Sequence, residues 1–332
     1  MIIDKAKLAE YKNVNFGRVM DYSEMIDPYA KYIETISDNK IYFGYETLDN
    51  HLFGIRPPEL VTILSEPDIG KTTFVMNMLR YQIESDSFLK NKLLINFSLE
   101  LNEYDLIERV IQMETGFNSF EIEKKFKTDA KFKEYCFEFV KKYNNIVSVI
   151  QRVRDTDIIS YVKAIEDMKG KQAGLIIVDY LQLISSEIGD DFLRTTRAVQ
   201  GLKEASLLLN IPIIITSQVS RSAGKNENGL EMNSGKGSGA IEEVSQIVLS
   251  LEKVKGKDLS LIDSETTEAV EKSKCRIIRL KIQKKKRGKY FDKPYLLDLE
   301  YKNLKLSEYT DKTRMKYLQT DNNLFWNNYN LR

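Results

Sequence analysis

Leu60-Val61-Thr62-Ile63-Leu64-Ser65-Glu66-Pro67-Asp68-Ile69-Gly70-Lys71-Thr72-Thr73 is the stretch from which the rest of the chain can be read. The apolar run Leu60 to Leu64 predicts a buried strand, and a tight loop follows it. Gly70-Lys71-Thr72-Thr73 then leads into Phe74, Val75, Met78 and Leu79, which recur at helical spacing. Strand, loop, Gly-Lys-Thr and helix is the order of a phosphate-binding loop. Backbone N–H groups at a helix N-terminus have no intrahelical partner and sit at the positive end of the macrodipole, so they gather an anion. Ser65, Pro67, Asp68, Ile69, Gly70, Lys71, Thr72 and Thr73 would form the cradle. Lys71 would add a full charge at the β- and γ-phosphates of ATP, and Thr72 a hydroxyl for Mg2+. The pattern asks for glycine where Ser65 stands; serine tolerates a left-handed backbone poorly, and Pro67 stiffens the loop in part compensation. The blander reading is an ordinary strand-to-helix turn that contains Gly-Lys-Thr.

Composition narrows the field. At 332 residues the chain can bury a sizeable core, as one large domain with appendages or as two small ones. No apolar run approaches a membrane span, and the N-terminus lacks the apolar core of a signal peptide. Cys136 and Cys275 are isolated, which fits a reducing, cytoplasmic setting and no metal framework. His51 is the sole histidine and reads as a turn residue, so a Ser/His or Cys/His mechanism has one weak candidate. A net charge of +1 excludes a generally basic nucleic-acid coat; any such surface must come from clustering. The cluster present is Arg276, Arg279, Lys281, Lys284, Lys285, Lys286, Arg287 and Lys289.

Along the chain, Arg18 to Ile36 carries apolar residues at mixed three- and four-residue steps, predicting one or two amphipathic helices that pack on their own domain or on a neighbouring subunit. Residues 41–60 read as a turn-rich approach to the first strand. Leu93 to Asn102 predicts a second buried strand that ends in Glu100, and Glu103 to Glu114 a helix. Phe117 to Asn144 is charged and helical in composition, a surface subregion. Asn145 to Gln151 reads as a short strand, Asp155 to Met168 as a helix, and Gly174 to Leu183 as a buried strand whose apolar run stops at Asp179. Thr195 to Asn210 is a helix, Ile211 to Arg221 a strand ending in Ser217-Gln218, and Ser222 to Gly239 a glycine-rich loop. Ala240 to Leu251 resumes helix and strand, Cys275 to Gln283 alternates as a strand does, and Tyr295 to Tyr301 closes a hairpin with it. Buried strands alternating with helices predict an α/β fold with a mainly parallel sheet. The expected divisions are residues 1–40 as a helical segment, 41–306 as the main domain and 307–332 as a tail.

A hydrolysing site needs a phosphate cradle, a metal anchor, a base for water and a sensor of the γ-phosphate. Lys71 and Thr72 supply the first, Asp179 would hold Mg2+, Glu100 would orient or deprotonate the attacking water, and Gln218 would sense the phosphate. All lie at C-terminal ends of expected parallel strands, where α/β folds bind ligands. Singly, each also reads as a solvated strand-end polar residue.

SEPDIGKTT, FSLE, IIVDYLQL, TSQVSR and the SGAIEE segment, in this order, resemble the RecA-type motor domain of the DnaB family of replicative DNA helicases. The resemblance runs from Ile41 to Leu306, and DYLQL with FSLE and SQVSR is its most specific part. It implies a RecA-like P-loop NTPase core, ATP sites between the subunits of a ring, in this family a hexamer, and single-stranded DNA in the centre, tracked 5′→3′. The family's K-x-R-x-G element matches Lys284-Lys285-Lys286-Arg287-Gly288, whose basic groups reach the neighbour's γ-phosphate. Lys286 stands at the finger position and the arginine follows as Arg287, so either is a candidate; a solvated basic hairpin is the blander reading. The family's central DNA loop matches Lys236-Gly237-Ser238-Gly239, which lacks aromatic platforms and so favours backbone tracking. Only about 40 residues precede the motor by motif alignment, which leads us to expect a ring without the family's usual collar and contacts to primase, helicase loader or other replisome proteins that are lost or moved. A recombinase-like or RadA-like DNA-dependent ATPase, and a non-catalytic DNA-binding assembly protein that keeps the motor fold, are the alternatives.

Overall fold

The computed structural model describes residues 20–36, 39–85, 88–184, 190–219, 230, 238–254, 275–288 and 294–310. The chain divides into two units, residues 1–40 and 41–332. In the first, helix α1 (Tyr22–Ile36) exposes Tyr22, Met25, Ile26, Tyr29 and Ile33, residues of the expected amphipathic pattern, together with Tyr32.

The second unit is built on a nine-stranded sheet in the order β3-β2-β4-β5-β1-β6-β7-β8-β9. The strands are β1 (Leu60–Ser65), β2 (Leu93–Ser98), β3 (Ile146–Val149), β4 (Ala173–Asp179), β5 (Ile213–Gln218), β6 (Ile247–Lys253), β7 (Cys275–Lys285), β8 (Tyr295–Glu300) and β9 (Lys305–Glu308). From β3 to β6 every pairing is parallel; β7, β8 and β9 then add antiparallel strands along one edge. The helices are α2 (Glu46–Leu52), α3 (Lys71–Glu84), α4 (Glu103–Thr115), α5 (Ser119–Thr128), α6 (Ala130–Val140), α7 (Ile158–Lys169), α8 (Asp191–Leu209) and α9 (Ser238–Val244).

Continuous apolar runs made the central strands look buried on both faces, and they are. Val61, Ile63, Leu94, Leu175, Ile177 and Ile214 join a core with Phe74, Val75 and Met78 of α3 and Leu48 and Leu52 of α2. Leu60, Leu64, Ile95, Ile176, Val178, Ile213 and Ile215 join a second core with Val162 of α7 and Val199 and Leu202 of α8. The alternation follows from the two-residue period of a strand. The charged region after α4 carries a small core of its own, Ile111, Ile122, Phe132, Cys136 and Phe139. Asn102, Asn118 and Asp129 accept from the backbone N–H groups of Asp105, Glu121 and Phe132, which starts α4, α5 and α6 where their sequences turn helical.

Three readings need correction. His51 lies in the last turn of α2, not in a turn, with Nδ1 2.6 Å from Thr47 O and its ring edge-on to Tyr295. Residues 41–60 contain that helix, held because Asp49 accepts from the backbone N–H groups of Phe43, Gly44 and Tyr45. The strand that leads to Glu100 ends at Ser98, so Glu100 stands in the connection to α4. Among the described residues no helix is long and apolar enough to cross a membrane.

Candidate nucleotide site

The C-terminal ends of β1, β2, β4 and β5 all open at one end of the sheet, and the expected hydrolytic residues meet there. Ser65 is the last residue of β1 and fully buried, so its backbone is extended; the left-handed positions of the loop are Asp68 (φ 58°) and Gly70 (φ 99°). The serine therefore sits where no glycine is needed, which removes the strain expected of it. Pro67 and Asp68 form the turn, Ile69 is buried as its anchor, and Gly70 delivers the chain into α3. A Cβ at Gly70 would lie 3.4 Å from Leu299 Cδ2.

Lys71 opens α3, and its ammonium stands 3.5 Å from Glu100 Oε2 and 4.7 Å from the centre of the Tyr180 ring. Thr72 Oγ1 donates to Asp179 Oδ2 at 2.7 Å, while Thr216 Oγ1 donates to Asp179 Oδ1 at 2.5 Å. Asp179 is buried at the end of β4, so both its oxygens are aimed by neighbouring strands and α3. Thr73 is buried one residue further into the helix. The backbone of β4 carries Glu100 as well, since Leu99 N donates to Asp179 O at 2.9 Å.

Gln218 ends β5, and its backbone is clasped by Gln182 of the turn after β4. Gln182 Nε2 donates to Ser217 Oγ (2.8 Å) and Gln218 O (3.2 Å), and Gln218 N donates back to Gln182 Oε1 (3.3 Å). Gln182 was not singled out in the sequence, although it belongs to the DYLQL run.

A cavity of about 270 Å³ lies over the loop, lined by Asp68, Gly70 to Thr73, Glu100, Arg109, Leu299, Tyr301 and Leu304. Arg109 of α4 and the β8–β9 turn are additions that sequence reasoning missed. The turn is carried to the loop by long-range bonds: Asn77 Nδ2 donates to Leu304 O at 2.8 Å and Gln112 Nε2 to Lys302 O at 3.1 Å. No local pattern signals that placement; the one trace of Arg109 is a cation in a helix otherwise striped with apolar residues.

The basic residues go elsewhere. Lys285 pairs with Ile247 at the start of β6, and Ile247 pairs with Val61 at the start of β1. Lys284, Lys286 and Arg287 are thus at the other end of the sheet from Lys71, about 17 Å away along β1 at 3.3 Å per residue. The cluster is not one solvated strip. Arg279 is buried against Glu252 (3.3 Å), Arg287 is paired with Glu59 (2.7 Å), and Lys284 Nζ donates to Glu242 O. Lys286 stays exposed. Gly239, in the first turn of α9, is exposed, with open space where a Cβ would lie; Lys236, Gly237 and the side chain of Ser238 fall outside the described residues.

A threonine hydroxyl and a carboxylate 2.7 Å apart are the oxygen donors that Mg2+ takes. No cluster of three His, Cys, Asp or Glu exists among the described residues, so the rest of the shell would come from phosphate and water.

Comparison with known proteins bears on the family and the fold. The family of DnaB-like helicase C-terminal domains matches residues 41–303. Replicative DNA helicase DnaB of Buchnera aphidicola subsp. Baizongia pistaciae is 28% identical over 212 residues, covering 62% of this chain and 45% of that protein. Its namesake in Rickettsia typhi is 31% identical over 222 residues, covering 62% and 43%. The chain thus spans about half the length of the curated relatives it matches. In fold it is similar to a solved ATPase domain (TM-score 0.71, 18% identity, 88% of this chain and 100% of that one). It is also similar to a DnaB-like replicative helicase described with its interactions with primase (TM-score 0.67, 19% identity, 92% and 71%).

Proposed function

We propose a function from the premise that this chain belongs to the family of DnaB-like helicase C-terminal domains. It is the motor of an ATP-driven, ring-forming replicative DNA helicase that moves along single-stranded DNA. The observation that carries this reading is the separation of its parts: cradle, carboxylates and Gln218 at one end of the sheet, an exposed lysine at the other. A lysine side chain cannot cross that distance, so one copy's cation serves a second copy's nucleotide.

Within a copy, loop N–H groups and Lys71 would take the phosphates of ATP, with Arg109 beside them and Tyr301, Leu299 and Leu304 as the wall for the base. Thr72 and Asp179 would hold Mg2+, which when bound neutralises charge on the phosphates. Glu100 would orient the attacking water. Its carboxylate stands 3.5 Å from the Lys71 ammonium, beside the phosphate cradle. Gln218 would report the γ-phosphate into the segment that ends at Lys236, Gly237, Ser238 and Gly239, the expected DNA contacts. Lys286, with Lys284 behind it, is the cation offered to the neighbour. A structural relative is described with its interactions with primase, and primase is the partner to test for this chain.

The test uses two inactive variants. Lys71→Ala and Lys286→Ala should each abolish DNA-stimulated ATP hydrolysis, and mixing them should restore part of it at seams where an intact cradle meets an intact cation. Normal turnover by either variant alone, or no recovery in a mixture shown to co-assemble, ends the two-copy reading.

A further inference from the structure

The residue after the exposed lysine is tied down within its own chain. Arg287 Nε donates to Glu59 Oε1 at 2.8 Å and Nη2 to Glu59 Oε2 at 2.7 Å, a two-point pairing that the planar guanidinium makes and an ammonium does not. Nη2 also donates to Gly54 O (3.0 Å) and Nη1 to Leu52 O (3.4 Å). Glu59 is itself fixed, because its Oε2 accepts from Arg56 N at 2.8 Å. On one flank Lys286 N donates to Gln246 O at 2.9 Å. On the other, Gly288 adopts φ 105°, and a Cβ there would stand 2.3 Å from His51 O. The backbone of residues 286–288 is therefore gripped on both sides, while the Lys286 side chain alone is left in solvent.

Lys203 adds to the grip. Its Nζ donates to Pro58 O at 3.1 Å, next to Glu59. Burial first, and the charge of Lys286 second, hold its pKa below the usual lysine range. That like charge disfavours Lys286 folding back onto its own sheet.

We propose that Arg287 is a positioning residue rather than the delivered cation: its clasp on Glu59 sets the turn that presents Lys286 to the next copy. The inference rests on the two-copy reading above. A lysine has a flexible four-carbon stem and no fork of its own, so its direction must come from the backbone that bears it. Glu59 supplies a fixed point for that backbone, since it directly precedes β1, the strand whose far end is the cradle. One strand thus references both halves of a seam, the half a copy keeps and the half it offers.

The experiment measures ATP turnover of the full chain on single-stranded DNA for Arg287→Ala, Glu59→Gln, the double variant, and the swapped pair Glu59→Arg with Arg287→Glu. Each single change should lower kcat roughly tenfold with KM within about twofold, the signature of an interaction used in turnover rather than in uniform binding. The double variant should lose no more than either single, and the swap should recover a large part of kcat. Full or raised activity in Glu59→Gln beside a dead Arg287→Ala would overturn the proposal, because a freed Arg287 would then be the cation. Equal loss in the swap and the double variant would also overturn it. Folding is read independently: Arg287→Ala copies mixed with Lys71→Ala copies should regain activity, since the first keep an intact cradle and the second an intact clasp. If Lys286→Ala is inactive while Arg287→Ala and Glu59→Gln are normal, the clasp alone fails; if Lys286→Ala is active, the two-copy reading fails first.

Discussion

At the scale of single residues, Ser65 occupies a position where the motif pattern asks for a glycine that the backbone does not require, while Gly70 occupies one where it does. The pattern places its first glycine at 65, yet that residue completes β1 in an extended conformation, whereas Gly70 holds φ 99° under Leu299. Ser65→Gly should therefore destabilise the chain by about 0.5–1 kcal/mol through lost backbone restriction, without raising ATP turnover. Gly70→Ala should cost about 1–2 kcal/mol from left-handed strain and abolish turnover with it. Thermal melts with ATPase assays on both variants check this, and a gain of activity in Ser65→Gly would refute it. Thr72, Asp179 and Glu100 were readable because each follows a recognisable strand or loop, so chain order alone placed them. The different settings of Lys286 and Arg287 were not readable: the partner that ties Arg287 down, Glu59, lies 228 residues away. Arg109 and Tyr301 escaped for the same reason, having no local signal for a cavity that four segments enclose.

Among elements, long apolar runs were legible and short polar ones were not. Strands β1, β4 and β5 announce themselves because burial on both faces demands continuous hydrophobicity. β9 hides in a polar stretch where Leu306 is the buried side chain, and its pairing with β8 supplies what its composition does not. α2 hides because it has seven residues before Arg56-Pro57-Pro58. It is organised by Asp49, whose carboxyl is pushed up to about 6, chiefly by burial and further by Glu308, against three backbone N–H bonds that pull it down. An acid raised in the folded state stabilises the fold below its unfolded pKa and loses that contribution as pH rises through the folded value. From pH 4 to pH 7 the wild type should therefore lose about 2–3 kcal/mol relative to Asp49→Asn, which does not titrate. Urea unfolding of both proteins across that range measures the difference, and a constant gap would remove the assigned burial. On β7, Arg279 is buried although it is charged, because Glu252 of the neighbouring strand β6 pairs with it at 3.3 Å.

For the whole molecule, the fold class was legible from alternation of strand and helix, whereas the arrangement of copies rests on resemblance and on the proposed function. In that proposal the two ends that meet at a seam are separated within each copy by the length of β1. A contact that joins unlike ends is heterologous, so it repeats until rotation closes it or continues as a filament. A row of copies that has not closed always holds one idle cradle and one idle lysine, however long it grows. Turnover per chain should then rise gradually with protein concentration at low occupancy and step upward when closure abolishes the idle pair. Sedimentation and ATPase titrations run side by side would find that step, and strictly concentration-independent turnover would argue that no such pair exists. Closure would thus act as an enzymatic event in its own right: the last copy to arrive completes two working junctions, where every earlier arrival completed one.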